Sequence, residues 1–169
     1  VTSYAPIMVG TGPTAPHRVP ANALGVPNYD GINSCGAVCT FVSLGDGGSL
    51  VLEFTDNALT GSGSNAADLW IFEVGPDVED TFVDISVDGV VWHSVGSVGG
   101  STAGVDIDAF GHGIGSQFFY VRLTDDGAKD GQSGSTVGAD IDAVGAISTV
   151  RVTRVNEPAP LVLIALALG

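Results

Sequence analysis

The chain has 169 residues, enough for one domain with a real core and too few for two ordinary domains side by side. Acids outnumber bases 19 to 5 for a formal net charge of −14, which leaves no basic surface to displace phosphate counterions and excludes nucleic acid as a natural partner. The same balance argues against docking on anionic lipid, and a chain that is 44% hydrophobic and 14% charged does not have the composition of a disordered one.

The opening stretch carries Pro6, Pro13, Pro16, Pro20 and Pro27 among Gly and Asn, which predicts extended or looping chain without helix as far as the turn at Asp30-Gly31. Cys35 and Cys39 follow in Asn-Ser-Cys-Gly-Ala-Val-Cys. Two cysteines with no second pair and no clustered histidines make a poor zinc site, so a small local disulfide in an oxidising compartment is the expected state. From Phe41 onward, short apolar runs alternate with Gly or Asp turns. Residues 50–54 and 69–74 have strand length rather than helix length, and Asp56 follows the first of them. In 82–87, Val83, Ile85 and Val87 fall on one face and Asp84 and Ser86 on the other. Asp88-Gly89 then predicts a tight hairpin into 90–93. Residues 118–123 and 150–153 alternate in the same way, as half-buried antiparallel strands do. No window sustains a 3.6-residue apolar period. The expectation is an all-β fold, an antiparallel β-sandwich, jelly-roll-like, of about seven to nine strands, with residues 1–155 forming one domain.

One octet repeats: Gly-Val-Asp-Ile-Asp-Ala-Phe-Gly at 104–111 and Gly-Ala-Asp-Ile-Asp-Ala-Val-Gly at 138–145 agree at six of eight positions. Two copies do not make a solenoid, and equivalent strand edges in the two sheets are expected instead. The repeat also places carboxylates at i and i+2, which on a strand point the same way and offer a hard cation two oxygens. Fifteen of the 19 acids are Asp, the carboxylate of turns and calcium loops, so calcium is the expected cofactor. The candidate ligands are Asp106, Asp108, Asp125, Asp140 and Asp142, with Asp56 and Asp30 as weaker ones. None has the twelve-residue EF-hand spacing, so any site must be assembled from distant segments.

For catalysis the residues offer little. His17, His93 and His112 are isolated in the chain, and Gly-Ser-Gly-Ser at 61–64 lacks the flanks of a nucleophile elbow. The expectation is a protein that is not an enzyme. Trp70, Trp92, Phe118, Phe119 and Tyr120 are the residue types of an aromatic platform for a sugar ring, but Trp70 and Trp92 lie inside apolar runs and all five read as core; the loops at one end of the sandwich are a further place for a carbohydrate site.

The last segment, 156–169, joins a linker holding Pro158 and Pro160 to an apolar terminus. As a helix, residues 161–169 span only about 14 Å, less than half a bilayer's hydrocarbon thickness. As an extended run they reach about 30 Å, enough for Leu161, Val162, Leu163, Ile164, Leu166 and Leu168 to fill a groove in a neighbouring copy.

Taken in order, Ala-Asn-Ala-Leu-Gly-Val-Pro at 21–27, Val-Ser-Leu-Gly-Asp-Gly-Gly-Ser-Leu-Val-Leu-Glu-Phe at 42–54, Asp-Leu-Trp-Ile-Phe-Glu at 68–73, Ser-Val-Asp-Gly at 86–89 and Gly-Ala-Asp-Ile-Asp-Ala-Val at 138–144 resemble the motif order of secreted bacterial cell-surface proteins of the PEP-CTERM, exosortase-sorted type. The resemblance spans roughly 21–146. Glu157-Pro158 with its apolar run is similar to that class's sorting signal, though shorter and with no Arg or Lys after it. The resemblance implies a jelly-roll-like domain outside the cell or on its surface. Together these readings lead to a non-enzymatic, calcium-stabilised structural protein that self-assembles into a filament or layer of its own copies, with surface polysaccharide as a further partner class. The alternative is a calcium-dependent carbohydrate-binding module.

Overall fold

Alternation along the strands decides which side chains meet. The computed structural model describes residues 1–29, 39–75, 79–127 and 134–152, and they form strands β1 (Ser3–Ala5), β2 (Val42–Ser43), β3 (Ser49–Glu53), β4 (Asn57–Leu59), β5 (Leu69–Glu73), β6 (Thr81–Ser86), β7 (Trp92–Val98), β8 (Thr102–Val105), β9 (Tyr120–Asp125), β10 (Asp140–Ala146) and β11 (Thr149–Arg151). Leu50, Leu52, Val83, Ile85, Val121 and Leu123 turn inward from one sheet. Leu69, Ile71, Val105 and Ile141 meet them from the other. Each such side chain contributes about 1.5–3 kcal/mol by leaving water.

The first sheet has the order β1-β3-β9-β6-β7 and the second β2-β10-β5-β8, with β11-β4 as a separate ribbon. Strands pair antiparallel throughout. Setting aside β1, β4 and β11, the remaining eight strands, counted in chain order, fall as 2-7-4-5 and 1-8-3-6. First pairs with eighth, second with seventh, third with sixth and fourth with fifth, which is one long hairpin rolled into two sheets. That is a jelly roll, the architecture the alternating runs predict.

Several local expectations are corrected. Of the five aromatics read as core, Phe118 joins the buried cluster, while Trp70, Trp92, Phe119 and Tyr120 are only half-buried. Leu, Ile and Val at the alternate positions occupy the interior, and the strand period sends Trp70, Trp92 and Tyr120 to the outer faces. The hairpin at Asp88-Gly89 is wider than two residues: Val90 and Val91 stay outside β7, their amides donating to Asp88 Oδ1 at 2.8 and 2.9 Å. The proline-rich opening holds two short 3₁₀ turns, Ala15–His17 and Pro20–Ala23, each with proline in its first turn, where the missing N–H is no loss. The two octets belong to the same sheet and not to opposite ones: the second runs along β10, while the first starts at the end of β8, across β5 from it, and leaves the strand before Asp106 and Asp108. No helix among the described residues is long and apolar enough to cross a membrane. Asp30, Cys35 and the tail residues Leu161, Val162, Leu163, Ile164, Leu166 and Leu168 lie outside the described residues.

Candidate metal centre

At one end of β5 a charged residue is drawn into the interior. Asp68 donates its N–H to Val105 O at 2.8 Å, and its own carbonyl accepts from Ile147 and Ser148 at 2.7 and 3.2 Å. The chain segments around β5, β8 and the β10–β11 turn thus converge on one backbone unit, and the side chain that comes with it is fully buried. Its Oδ2 accepts from Ile107 N at 3.0 Å. Its Oδ1 is buried with no hydrogen-bond partner among the described residues. A buried carboxylate oxygen without a donor costs several kcal/mol, so this atom calls for a positive partner.

Two more carboxylates lie close to the Asp68 side chain. After Val105 the chain leaves β8 and winds into the 3₁₀ turn Asp108–Phe110. There Asp108 N donates to Asp106 Oδ1 at 3.0 Å, and Asp108 Oδ2 accepts from Gly63 N at 3.0 Å and Ser62 Oγ at 3.4 Å. One oxygen each of Asp68, Asp106 and Asp108 lies within 4.8 Å of the others. Two oxygens at about 2.4 Å from a single calcium ion stand at most about 4.8 Å apart, so the three carboxylates meet the spacing that sharing one ion requires. The donor set is oxygen throughout, which selects a hard cation over zinc or copper. Gly61 forms part of the wall: a Cβ there would stand 2.3 Å from the His112 carbonyl oxygen and 2.8 Å from both Asp108 carboxylate oxygens. That space already belongs to oxygen atoms, a further carbonyl among them.

Asp106 and Asp108 are therefore brought together, with Asp68 as a third member that the sequence reading missed. Asp68 bonds to Ile107 across 39 positions, and only the β5·β8 register makes them neighbours. The one local sign was a charge set directly before an apolar strand.

The other candidates go elsewhere. Asp125 is buried, but its oxygens accept from Ala139 N at 2.8 Å, Gly47 N at 2.9 Å and Gly127 N at 3.1 Å, so it staples three turns. Asp140 accepts from Ser43 Oγ. Asp142 sits at a β-bulge between Ile141 and Ala143 and accepts at Oδ2 from Asn28 and Tyr29 amides at 2.8 and 3.0 Å, while its Oδ1 is buried without a partner. The bulge breaks the strand period, so Asp140 and Asp142 have separate partners and do not act as a pair. Asp56 is exposed beside β11, its carbonyl accepting from Val152 N at 3.3 Å.

The far end of β5 meets its acids differently. Glu73 is buried, with Glu79 N donating to its Oε1 at 3.3 Å. Burial first, then the charge and side-chain hydrogen bond of Glu79, push the Glu73 carboxyl up to about 9. Asp140 rises to about 7 through burial, against the pull of its Ser43 hydrogen bond and with help from Glu79 and Asp125. Glu79 and Asp125, which act on them, line a cavity of about 10 Å³ together with Asp46 and Asp126, room for about one water. One end of the strand holds carboxylates that take up protons, the other a carboxylate oxygen with nothing bound to it.

The histidines, isolated in the sequence, are partly joined by the fold. His93 and His112 meet edge to face at 5.2 Å over Phe118, and His17 stacks on Phe41 at 4.8 Å. Burial and the neighbouring His93 hold His112 below the usual imidazole range, as in a packed aromatic cluster.

No family model and no curated protein matches the chain. Among solved structures it is similar to the C-terminal domain of a chitobiase from Bacteroides fragilis, at 16% identity and a TM-score of 0.41, over 62% of this chain and 64% of that one. The chain thus spans less than two thirds of that neighbour, and a likeness this distant carries no argument about what it binds or does.

Proposed function

We propose that this is a non-enzymatic structural domain, working outside the cell or on its surface, whose sandwich is clamped by calcium at Asp68, Asp106 and Asp108. The observation that carries the reading is the buried, partnerless Oδ1 of Asp68 beside two further carboxylates. A cation there ties the start of β5 to the turn after β8, two segments otherwise joined by a few backbone hydrogen bonds. Sites of modest carboxylate count in extracellular modules bind calcium at about 10⁻⁴–10⁻³ M, so the clamp suits a compartment rich in calcium. A Cys35–Cys39 disulfide is proposed for the same oxidising setting. Residues 161–169 supply the means of assembly with further copies of the chain.

Thermal unfolding with and without a chelator tests the clamp. At about 10 mM calcium, roughly 10 to 100 times such a dissociation constant, the bound ion contributes about 1.5–2.5 kcal/mol, so chelation lowers the melting temperature by roughly 3–10 °C. An unchanged melting temperature sinks the reading. Alkylation without reductant tests the disulfide: no labelled thiol is expected, and two labelled cysteines refute it.

A further inference from the structure

The outer face of the five-stranded sheet carries features that the cation centre does not use. Tyr120, Ser86 and Trp92 stand in one cross-strand row on β9, β6 and β7. The two aromatic residues are thus two strand spacings apart, roughly 10 Å. Between and beside them runs a groove of about 340 Å³ lined by Thr2, Ser3, Val51, Asp88, Trp92 and Tyr120. That volume falls within the range of about 300–1,000 Å³ typical of ligand clefts.

The groove is built rather than incidental. Arg122 donates through Nε and Nη2 to Asp84 Oδ2 at 3.0 and 2.9 Å, and its guanidinium carbon lies 4.5 Å from the centre of the Trp92 ring. The ion pair fixes the arginine, and the arginine fixes the indole. Asp88 is held by Val90 N, Val91 N and Ser86 Oγ, all on Oδ1. Those amide bonds, Val91's first, keep its carboxyl below the usual range and so ionised. Gly89, at φ +73°, lets the same loop turn above the Tyr120 ring.

We propose that this groove binds a neutral oligosaccharide, stacking pyranose rings on Trp92 and Tyr120 and taking hydroxyl hydrogen bonds at Asp88. A pyranose has one apolar face and a polar rim, which matches aromatic rings beside a fixed carboxylate and the hydroxyls of Thr2 and Ser3. Anionic ligands are repelled by Asp88 and by a net charge of −14. The apolar floor is limited to Val51 and the two rings, too little for a lipid tail. The site shares no residue with Asp68, Asp106 or Asp108, so the proposal stands apart from the calcium reading.

The test is titration of the full chain, in millimolar calcium, with neutral hexasaccharides of glucose, mannose, galactose and xylose and with a sulfated oligosaccharide for comparison. Tryptophan fluorescence and calorimetry follow binding. At least one neutral sugar is expected to bind saturably. Trp92→Ala and Tyr120→Ala each weaken it at least about tenfold. Val51→Arg, which fills the groove and leaves the interior alone, does the same should either aromatic variant fail to fold. Trp70→Phe, on the other sheet, retains both the affinity and the fluorescence change. The proposal is overturned if no neutral sugar binds at millimolar concentration, if the sulfated one is preferred, or if Val51→Arg binds as the parent does. Binding lost in Asp68→Asn but kept in the groove variants places the sugar on the cation centre, and overturns it too.

Discussion

Asp68 shows how much one oxygen atom can decide. Its Oδ2 is satisfied by Ile107 and its Oδ1 by nothing among the described residues, so its cost depends on whether a cation is present. Asp68→Asn is expected to cost about 1–2 kcal/mol in saturating calcium: the ion's contribution is lost, and the easier burial of a neutral amide offsets part of it. In chelator the order reverses: a neutral amide is cheaper to bury than a lone carboxylate, and the variant melts above the parent. Equal destabilisation under both conditions would mean that Asp68 is only a structural acceptor. Gly61→Ala probes the same centre from the wall. The added methyl falls on the His112 carbonyl and the Asp108 carboxylate, and a loss of about 1–3 kcal/mol together with weaker calcium binding is expected. Asp125→Asn supplies the contrast. It removes charge from an acceptor of three amides, so it destabilises by about 1–3 kcal/mol to the same extent with calcium or with chelator.

Strand β5 has an acid at each end, and the inward acid at its C-terminal end gives the domain a pH dependence. Glu73 titrates near 9 in the folded protein and near 4.5 unfolded, and Asp140 near 7 against 3.8. Both folded values are raised, so between those limits the folded state holds more protons and stability falls as pH rises. The contribution is whole below about pH 4 and is lost progressively up to about pH 9. At fixed saturating calcium, the melting temperature is expected to drop by several degrees from pH 5 to pH 9. Glu73→Gln flattens most of that slope, and a parent profile that rises with pH contradicts the account. The strands themselves were legible in the sequence because period-two alternation is local: the runs at 50–54, 69–74 and 82–87 become β3, β5 and β6 within a residue or so at most boundaries. The face each aromatic takes was not, because a run such as Leu-Trp-Ile-Phe-Glu supplies apolar residues at both parities. Leu69 and Ile71 go inside through pairing with β8 and β10, and Trp70 goes out. The bulge at Asp142 was equally hidden, since it arises in the match between β10 and β5.

The rolled hairpin explains why half of the cation centre could be read and half could not. Asp106 and Asp108 announce themselves by spacing, whereas Asp68 reaches them only once the third and sixth strands of the roll pair. The groove of Trp92 and Tyr120 likewise needs β9, β6 and β7 side by side before its row exists. Assembly belongs to the same level. A chain ending at Asn156 is expected to stay monomeric by light scattering and to melt like the full chain, while the full chain polymerises; equal polymerisation of both removes the donated-strand proposal. The central claim, a calcium ion held through the buried carboxylate of Asp68, is tested most directly by calorimetric titration of calcium into the full chain and its Asp68→Asn variant. Saturable binding is expected in the parent and is lost in the variant; calcium binding that is absent from the parent, or identical in both, rules the clamp out.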